Sequence, residues 1–390
     1  MAVTGFASPA VAQTAPTGYV SVFLDRLPNR DSTELRARGF AEAKVDVGPH
    51  VRLTASGFAE GLLANRGGRV TDAVAEPQDL NVAFHAKRFD LAAGLGRVVW
   101  GCLDEIQPTD VINPIDVSRF LFEGRSEARV SVPLVHATLY AGDTASIEGI
   151  YVPFVRRGRF DRLAERSSPF NLTPPVPFTD VSPPRTAENG QGGARVNLTT
   201  GRVDWSVSAY RGFRPFGVYA TPGPIVRIYP RFTMIGGDVE TVAGPWLVRG
   251  EIAVFPRDAF QAPNLPIAVP GRSLDAGAGL DRKAGNYRIG GQVILHRERY
   301  DGGFDSLSRT DVSLVASADR TFRRQKYQGR LFGVYNPKNG SGFARAIGTA
   351  SLRDNVALEG SLGWFAGSGL DTISRFADSD FAYVRLKYFF

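Results

Sequence analysis

Phe381-Ala382-Tyr383-Val384-Arg385-Leu386-Lys387-Tyr388-Phe389-Phe390 decides the fold. Read in twos, Val384, Leu386, Tyr388 and Phe390 form one apolar row, and Tyr383, Arg385 and Lys387 stand opposite. Successive side chains of a strand point to opposite faces, so this segment is a strand with one oily face and one charged face. A helix, with a period of about 3.6, would scatter the same residues around its circumference. Two readings remain: an edge strand of a soluble sheet, or one stave of a closed wall with grease on one side and water on the other.

The rest of the chain repeats the pattern. Val51, Leu53, Ala55 and Ala59 oppose Arg52, Thr54, Ser56 and Glu60. Val203, Trp205, Val207 and Ala209 oppose Asp204, Ser206, Ser208 and Tyr210. Val312, Leu314, Ala316 and Ala318 oppose Asp311, Ser313, Ser317 and Asp319, and Val356, Leu358, Leu362 and Trp364 oppose Asn355, Glu359 and Ser361. Alternation and turn residues predict about eighteen strands: 17–27, 34–47, 51–63, 80–88, 94–101, 128–140, 144–153, 192–198, 202–211, 224–235, 239–255, 272–280, 285–298, 310–320, 325–335, 341–352, 355–365 and 379–390.

The connections fall into two classes. Those after odd strands are long, as at 64–79, 102–127, 154–191, 213–223, 256–271, 299–309 and 366–378. Those after even strands are tight, as at Gly48-Pro49-His50, Gly142-Asp143, Gly236-Gly237-Asp238 and Arg353-Asp354. A last strand of this kind, with such alternating connections, resembles the closing strand and loop pattern of bacterial outer-membrane β-barrels. The resemblance implies a transmembrane, antiparallel, up-and-down barrel of sixteen to eighteen strands, eighteen being the best count. Val384, Leu386, Tyr388 and Phe390 would face lipid on the barrel-closing strand, paired with the segment from Gly18 to Leu27, because hydrocarbon tolerates no unpaired edge. The same strand would be the signal for the barrel-assembly machinery. Tyr19, Phe40, Trp100, Tyr151, Tyr229, Trp246, Trp364 and Tyr388 are candidates for the interfacial aromatic girdles.

Composition agrees. Hydrophobic residues make up 43 % of 390, with Gly at 43 and Phe at 26, yet no apolar run approaches the ~20 residues of a membrane helix. The single Cys102 rules out an intrachain disulfide. The formal charge of +7 comes from scattered arginines with no long basic run or nucleic-acid motif, so nucleic acid is not an expected partner. Near the start, Phe6-Ala7-Ser8-Pro9-Ala10-Val11-Ala12-Gln13 reads as the end of a secretory signal peptide, with Ala10-Val11-Ala12 the small-x-small site. The expected organisation is a signal-peptide remnant at 1–12 and one barrel domain at 13–390, integral to a Gram-negative outer membrane.

One loop stands out: Val98-Val99-Trp100-Gly101-Cys102-Leu103-Asp104-Glu105, continuing to Asp110-Val111-Ile112-Asn113-Pro114-Ile115-Asp116. This stretch resembles a family of uncharacterised Gram-negative outer-membrane proteins that share a strand ending in Trp-Gly and an Asp-Val-Ile-Asn-Pro-x-Asp core. Alginate-export barrels carry a looser version. The resemblance covers about twenty residues and implies a porin-like barrel. From the residues, Asp104, Glu105, Asp110 and Asp116 are candidates for a pore constriction formed by the 102–127 loop folding inward; the alternative is a loop whose carboxylates cap turns and pair with arginines. Arg52, Arg227, Arg231, Arg288, Arg330, Arg345, Arg385 and Lys387 are the candidate lumen bases, because an Arg facing lipid at the midplane costs ~2–4 kcal/mol. They outnumber the acids placed inward, Glu60, Asp204, Glu251 and Glu359, which suggests a weak anion preference. Arg156-Arg157-Gly158-Arg159 is a candidate contact for lipopolysaccharide phosphates.

No enzyme constellation is visible. His50, His85, His136 and His296 have no metal-ligand spacing, and no Gly-x-Ser-x-Gly elbow occurs. No catalytic residue, metal or cofactor is expected. The reading is a monomeric outer-membrane channel for small solutes, embedded among outer-membrane lipids and lipopolysaccharide. An exporter of lipid-like cargo with a periplasmic partner is the first alternative, and an outer-membrane lipid hydrolase the second. A soluble all-β binding protein is the outsider.

Overall fold

The structure, a computed structural model, describes residues 11–13, 15–221, 223–262, 266–369 and 371–390. Eighteen antiparallel strands close into one barrel. In chain order they are β1 Thr17–Leu27, β2 Ser32–Val47, β3 Val51–Asn65, β4 Arg69–Ala86, β5 Phe89–Gly96 and β6 Val132–Tyr140. There follow β7 Ala145–Val152, β8 Gln191–Thr200, β9 Val203–Phe213, β10 Arg231–Ala243, β11 Trp246–Gln261 and β12 Ala268–Ala284. The last six are β13 Tyr287–Tyr300, β14 Arg309–Phe322, β15 Tyr327–Asn336, β16 Ser341–Arg353, β17 Val356–Ala366 and β18 Phe381–Phe389. Each strand pairs with its sequence neighbours, and β1 pairs with β18 in the register Val20↔Tyr388, Val22↔Leu386 and Leu24↔Val384. No edge is left in the barrel wall, which is the condition for crossing hydrocarbon with strands. No helix among the described residues is long and apolar enough to cross a membrane.

The two faces separate as the closing strand predicts. Val384, Leu386, Tyr388 and Phe390 are exposed on the outside, at 54, 47, 50 and 56 %. Phe381, Tyr383 and Arg385 are buried inside, and Lys387 shares their side. Val20, Val22, Leu24, Val207, Ile252, Val293, Leu331 and Leu362 extend the outer apolar belt around the wall. This is the architecture of an integral outer-membrane barrel.

The girdles contain some of the expected aromatics and not others. Tyr151, Trp246, Trp364 and Tyr388 face outward near strand ends, joined by Trp205, Tyr287, Tyr327 and Tyr335. Tyr19 and Phe40 share the inward side of Ser21 and Arg38. Trp100 and Tyr229 are buried in loops.

Several boundaries differ from expectation: the strand placed at 94–101 is β5, which ends at Gly96, and most of the link placed at 256–271 belongs to β11 and β12. The stretch 64–79 is not a long loop: a turn at 66–68 leads directly into β4. Thr71, Asp72 and Glu76 break its apolar alternation, and Pro77 sits at a bulge opposite Gly57, a position where its missing N–H costs least. Gly236-Gly237-Asp238 is not a turn but the middle of β10, and the true turn is Gly244-Pro245, where Gly244 has φ +61. At Gly236 a Cβ would stand 2.6 Å from the Ile252 carbonyl oxygen and 2.7 Å from Thr109 Cγ2. Those glycines serve close approach, not chain reversal.

Short turns of two to four residues join even strands to the next odd ones, while 97–131, 153–190, 214–230 and 367–380 lie at the other end. Of the segment read as a leader, residues 1–10 lie outside the described residues. Val11–Gln13 pairs with Val45–Val47 and continues the line of β1.

Candidate functional site

The loop 97–131 folds into the barrel and packs against both sides of its inner wall. It carries two short helices, α1 Val117–Glu123 and α2 Arg125–Ala128. Its shape is set by its own polar residues. Asn113 staples the two ends: its Oδ1 accepts from Val98 N at 2.8 Å, and its Nδ2 donates to Val130 O at 2.9 Å and Gly96 O at 3.3 Å. Asp116 caps α1, accepting from Arg119 N at 3.1 Å and Ser118 Oγ at 2.8 Å. Asp110 accepts from Arg129 at 2.7 Å and Arg125 at 2.9 Å, both within the loop. Asp110 and Asp116 are therefore spent on folding the loop, their side chains 2 and 0 % exposed. The polar residues of the Asp-Val-Ile-Asn-Pro-x-Asp core encode a loop conformation rather than a pore surface.

Asp104 and Glu105 do reach the wall. Asp104 pairs with Arg249 on β11 at 2.9 Å and Arg288 on β13 at 3.3 Å. Glu105 pairs with Arg330 on β15. Side-chain exposures of 41 % for Asp104, 47 % for Arg288 and 38 % for Arg330 make these the solvent-facing charges where the loop meets the wall. Burial raises the Glu105 carboxyl above its ordinary pKa, against the pull of Arg330.

Two buried carboxylates fix the loop to opposite walls. Glu251 on β11 accepts from Cys102 N at 3.1 Å and Leu103 N at 3.2 Å through Oε2, and from Thr109 N at 2.6 Å and Thr109 Oγ1 at 2.8 Å through Oε1. Gly101 sits beside it at φ +99, where a Cβ would come within 2.5 Å of Glu251 Oε1. The Trp-Gly pair thus has a physical reason: Trp100 fills the apolar pocket, and only glycine leaves room for the clamp. Across the barrel, Glu123 at the end of α1 accepts from Arg38 of β2 at 2.8 and 2.9 Å and from Arg385 of β18 at 3.0 Å. Burial alone would raise the Glu123 pKa, but Arg38, Arg119 and Arg385 overcome it and hold the carboxyl well below the usual range.

Apolar packing completes both anchorages. Val98, Trp100 and Ile112 pack on inward residues of β6, β7 and β9–β11, including Leu134, Tyr210, Met234 and Phe255. Leu121 and Phe122 pack on Phe23, Phe343, Phe365, Phe381 and Tyr383, with the Phe122 ring 4.9 Å from Phe381 and 5.3 Å from Phe23. A second loop, 153–190, lies over the first: Val117 N donates to Arg159 O at 2.8 Å, and Asp161 pairs with Arg36 at 2.8 Å and Arg66 at 3.4 Å.

The candidate lumen bases divide. Arg288, Arg330, Arg345 and Arg385 face inward at the level of the loop; Arg345 donates to Phe122 O at 2.6 Å. Lys387 faces inward with its ammonium over the Tyr19 ring at 5.3 Å. Arg52 also faces inward but lies by the β2–β3 turn, paired with Asp46 at 2.7 Å. Arg227 is not on the wall: it belongs to Val226–Ile228, a short strand of a small loop sheet, and pairs with Asp180. Arg231 has the outward register of Ile235 and donates to Glu188 O at 2.9 Å at the rim. Arg227 departs because β10 begins at Arg231 and not at 224; Arg231 departs because its apolar neighbours Phe232 and Met234 face inward, against the 97–131 loop, and not toward lipid. Within the basic stretch, Arg157 pairs with Glu165 and Arg159 with Glu76, and Arg156 donates to Ser131 O, so these side chains brace the loops.

Sequence reasoning missed the partners of these groups, Arg36, Arg38, Glu123 and Arg249. The alternation of β2 (Glu34, Arg36, Arg38 on one face) was the available signal.

Cys102 offers a probe of the loop. Burial, then Asp238, Glu251 and Glu240, push its thiol up to about 12. We expect thiol reagents at pH 8 to label it on the order of a thousandfold more slowly than a free thiol, because the thiolate is the nucleophile. Labelling at the free-thiol rate in a mass-spectrometric time course would show that the loop does not hold this position.

No protein-family model matches the sequence, and no curated protein does. Solved structures do share the fold. OpdK, an outer-membrane protein of Pseudomonas aeruginosa, superposes with a TM-score of 0.55 at 10 % identity over 96 % of this chain and 98 % of its own. OccK5 (OpdH) of the same organism gives 0.54 at 10 % identity over 96 % of each chain. OccAB4 of Acinetobacter baumannii gives 0.52 at 11 % identity over 97 and 98 %. At such identities the likeness is one of fold, an eighteen-stranded outer-membrane barrel.

Proposed function

We propose that this protein is a porin-like outer-membrane channel that passes small solutes by diffusion through an aperture narrowed by the 97–131 loop. The observation that carries the reading is the pairing of a closed barrel, wide enough at this strand number to hold water, with a loop clamped into its lumen from both sides. Asp104, Glu105, Arg288 and Arg330 form the charged lip of the aperture in this reading. OpdK has been crystallised with vanillate, and small organic solutes of that size are the class we propose here. Conductance steps from purified protein in planar bilayers would support the channel; a barrel that inserts yet never conducts would end it.

Selectivity follows from register. The anion preference rested on four inward acids. The pairing turns many more inward, Asp46, Asp79, Asp90, Glu148, Asp238 and Asp311 among them, and the inward arginines of the wall are mostly matched to them. Much of the positive charge sits on the rims instead. We expect a modest cation preference in reversal potentials under a salt gradient. It should weaken as pH falls, because Glu105 has a raised pKa and is neutralised early, leaving Arg330 only its longer pair with Asp319 at 3.8 Å. A reversal potential of anionic sign at pH 7 would remove this proposal while leaving the channel reading intact.

A further inference from the structure

Five arginines form a band on the lipid-facing side of the barrel, at the loop end of β9 to β13. Arg211 and Arg257 flank Thr233 in the same cross-strand row. Arg272 lies directly opposite Arg299, and Arg297 one step deeper opposite Leu274. All five are exposed. Their register is outward: Arg211 shares it with Val207, Arg297 and Arg299 with Val293, and Arg257 follows Val254 across a bulge.

None of the five has an acidic partner or a hydrogen bond among the described residues, whereas nearly every inward arginine of the wall is paired. Arg231, at the same rim, differs: it is spent on Glu188, Asn189 and Gly190 and stacks on Phe213.

Their height is telling. Arg297 lies ten residues from Tyr287, the outward aromatic at the turn end of β13, ~34 Å along a strand at ~3.4 Å per residue and ~26 Å in height at a tilt of ~40°, which spans an apolar band ~25 Å tall. At the loop end of the barrel, Tyr151, Tyr335 and Trp364 hold that level on β7, β15 and β17. On β9 to β13 no outward Trp or Tyr among the described residues does so at that end, and the arginines stand in the girdle position. At the turn end of the same strands the girdle is aromatic, with Trp205, Trp246 and Tyr287. Unpaired guanidiniums at headgroup level, over an apolar wall, match a ligand with fatty chains below and several phosphates above. Adjacent strands are ~4.8 Å apart, so the band spans a headgroup with more than one phosphate, and Arg forks bind phosphate oxygens in pairs.

We propose that this band is a binding site for the phosphates of lipopolysaccharide in the outer leaflet, seating one glycolipid against β9 to β13. The inference rests on the outer-membrane placement and is independent of transport. The test titrates purified full-length protein with lipopolysaccharide and with the same preparation stripped of its phosphates. The phosphorylated form should bind at least about tenfold more tightly, with an advantage that shrinks at high salt. Arg211→Gln, Arg257→Gln, Arg272→Gln, Arg297→Gln and Arg299→Gln combined should abolish that advantage. Arg282→Gln with Arg320→Gln, at the turn end, should keep it. Should the fivefold variant fail to fold, the pair Arg272→Gln and Arg299→Gln should lose part of it. Equal binding of both preparations by the native protein overturns the proposal, as does an undiminished advantage in the fivefold or paired variant. Unchanged conductance in the variants is compatible with it, which keeps its failure distinct from failure of the channel reading.

Discussion

Glu251→Gln is expected to raise the mean single-channel conductance several-fold and to make it noisy. The carboxylate accepts four hydrogen bonds, two on each oxygen, from Cys102 N, Leu103 N, Thr109 N and Thr109 Oγ1. A glutamine offers one accepting oxygen, and its amide nitrogen cannot accept from a backbone N–H. Two donors are then left in a buried setting, each costing ~1–3 kcal/mol. The segment from Cys102 to Thr109 regains those bonds only by leaving the wall for water, which widens the aperture. Gly101→Ala should do the same by a different route, since its Cβ would meet the carboxylate and its φ of +99 disfavours a side chain. Thr109→Val removes one hydroxyl and should have a smaller effect. Planar-bilayer recordings check all three, and Cys102 labelling reports the same motion chemically. Conductance and labelling both unchanged in Glu251→Gln would show that the clamp does not hold the loop.

The sequence was most legible where a single period governs. β18 shows its two faces in its own residues, and the strand number and the pairing of β1 with β18 follow from repeating that reading. Legibility failed where a residue type has two uses. Gly236-Gly237 reads as a turn because glycine tolerates tight reversal, yet the same missing Cβ also admits a neighbouring carbonyl and the Thr109 methyl. That misplaced turn moved the start of β10 and put Arg227 on the wall, while Arg231 was assigned to the lumen because Phe232 and Met234 read as lipid-facing although they pack inward against the loop. The site failed differently. Asp104, Glu105, Asp110 and Asp116 have the same chemistry and lie within thirteen residues of each other. Whether each points at the wall or back into the loop depends on Asn113, Arg125 and Arg129, whose contacts span the loop and leave no periodic trace. The anion preference failed for a related reason: inward acids on polar-rich strands such as β4 do not alternate visibly with apolar neighbours, so they escaped the count.

Glu123→Gln should have the second large effect, at the opposite wall. Arg38 and Arg385 would keep Glu60 and Glu359 but lose the carboxylate between them. Removing one partner from a buried ionic cluster costs ~3–5 kcal/mol, because the remaining charges stay desolvated and repel. The strands cannot move, being bonded on both sides, so the strain falls on α1, which is held otherwise by Phe122 packing, by Arg345 and Tyr383 on the Phe122 carbonyl and by the Arg119–Glu60 pair at 2.8 Å. α1 should lift, conductance should rise, and the thermal transition should fall by several degrees. The pH dependence has a definite sign. A carboxyl whose folded pKa is depressed contributes its stability fully above its ordinary value near ~4.3 and loses it only as pH falls toward the folded value. The native Glu123 anchor should therefore survive mild acid that already neutralises Glu105, and an aperture that opens fully between pH 7 and 5 would contradict it. Combining Glu123→Gln with Glu251→Gln then asks whether the loop is one body. If each clamp holds its own half, the two changes in open-state free energy add; if the loop moves as a unit, the second release adds little to the first.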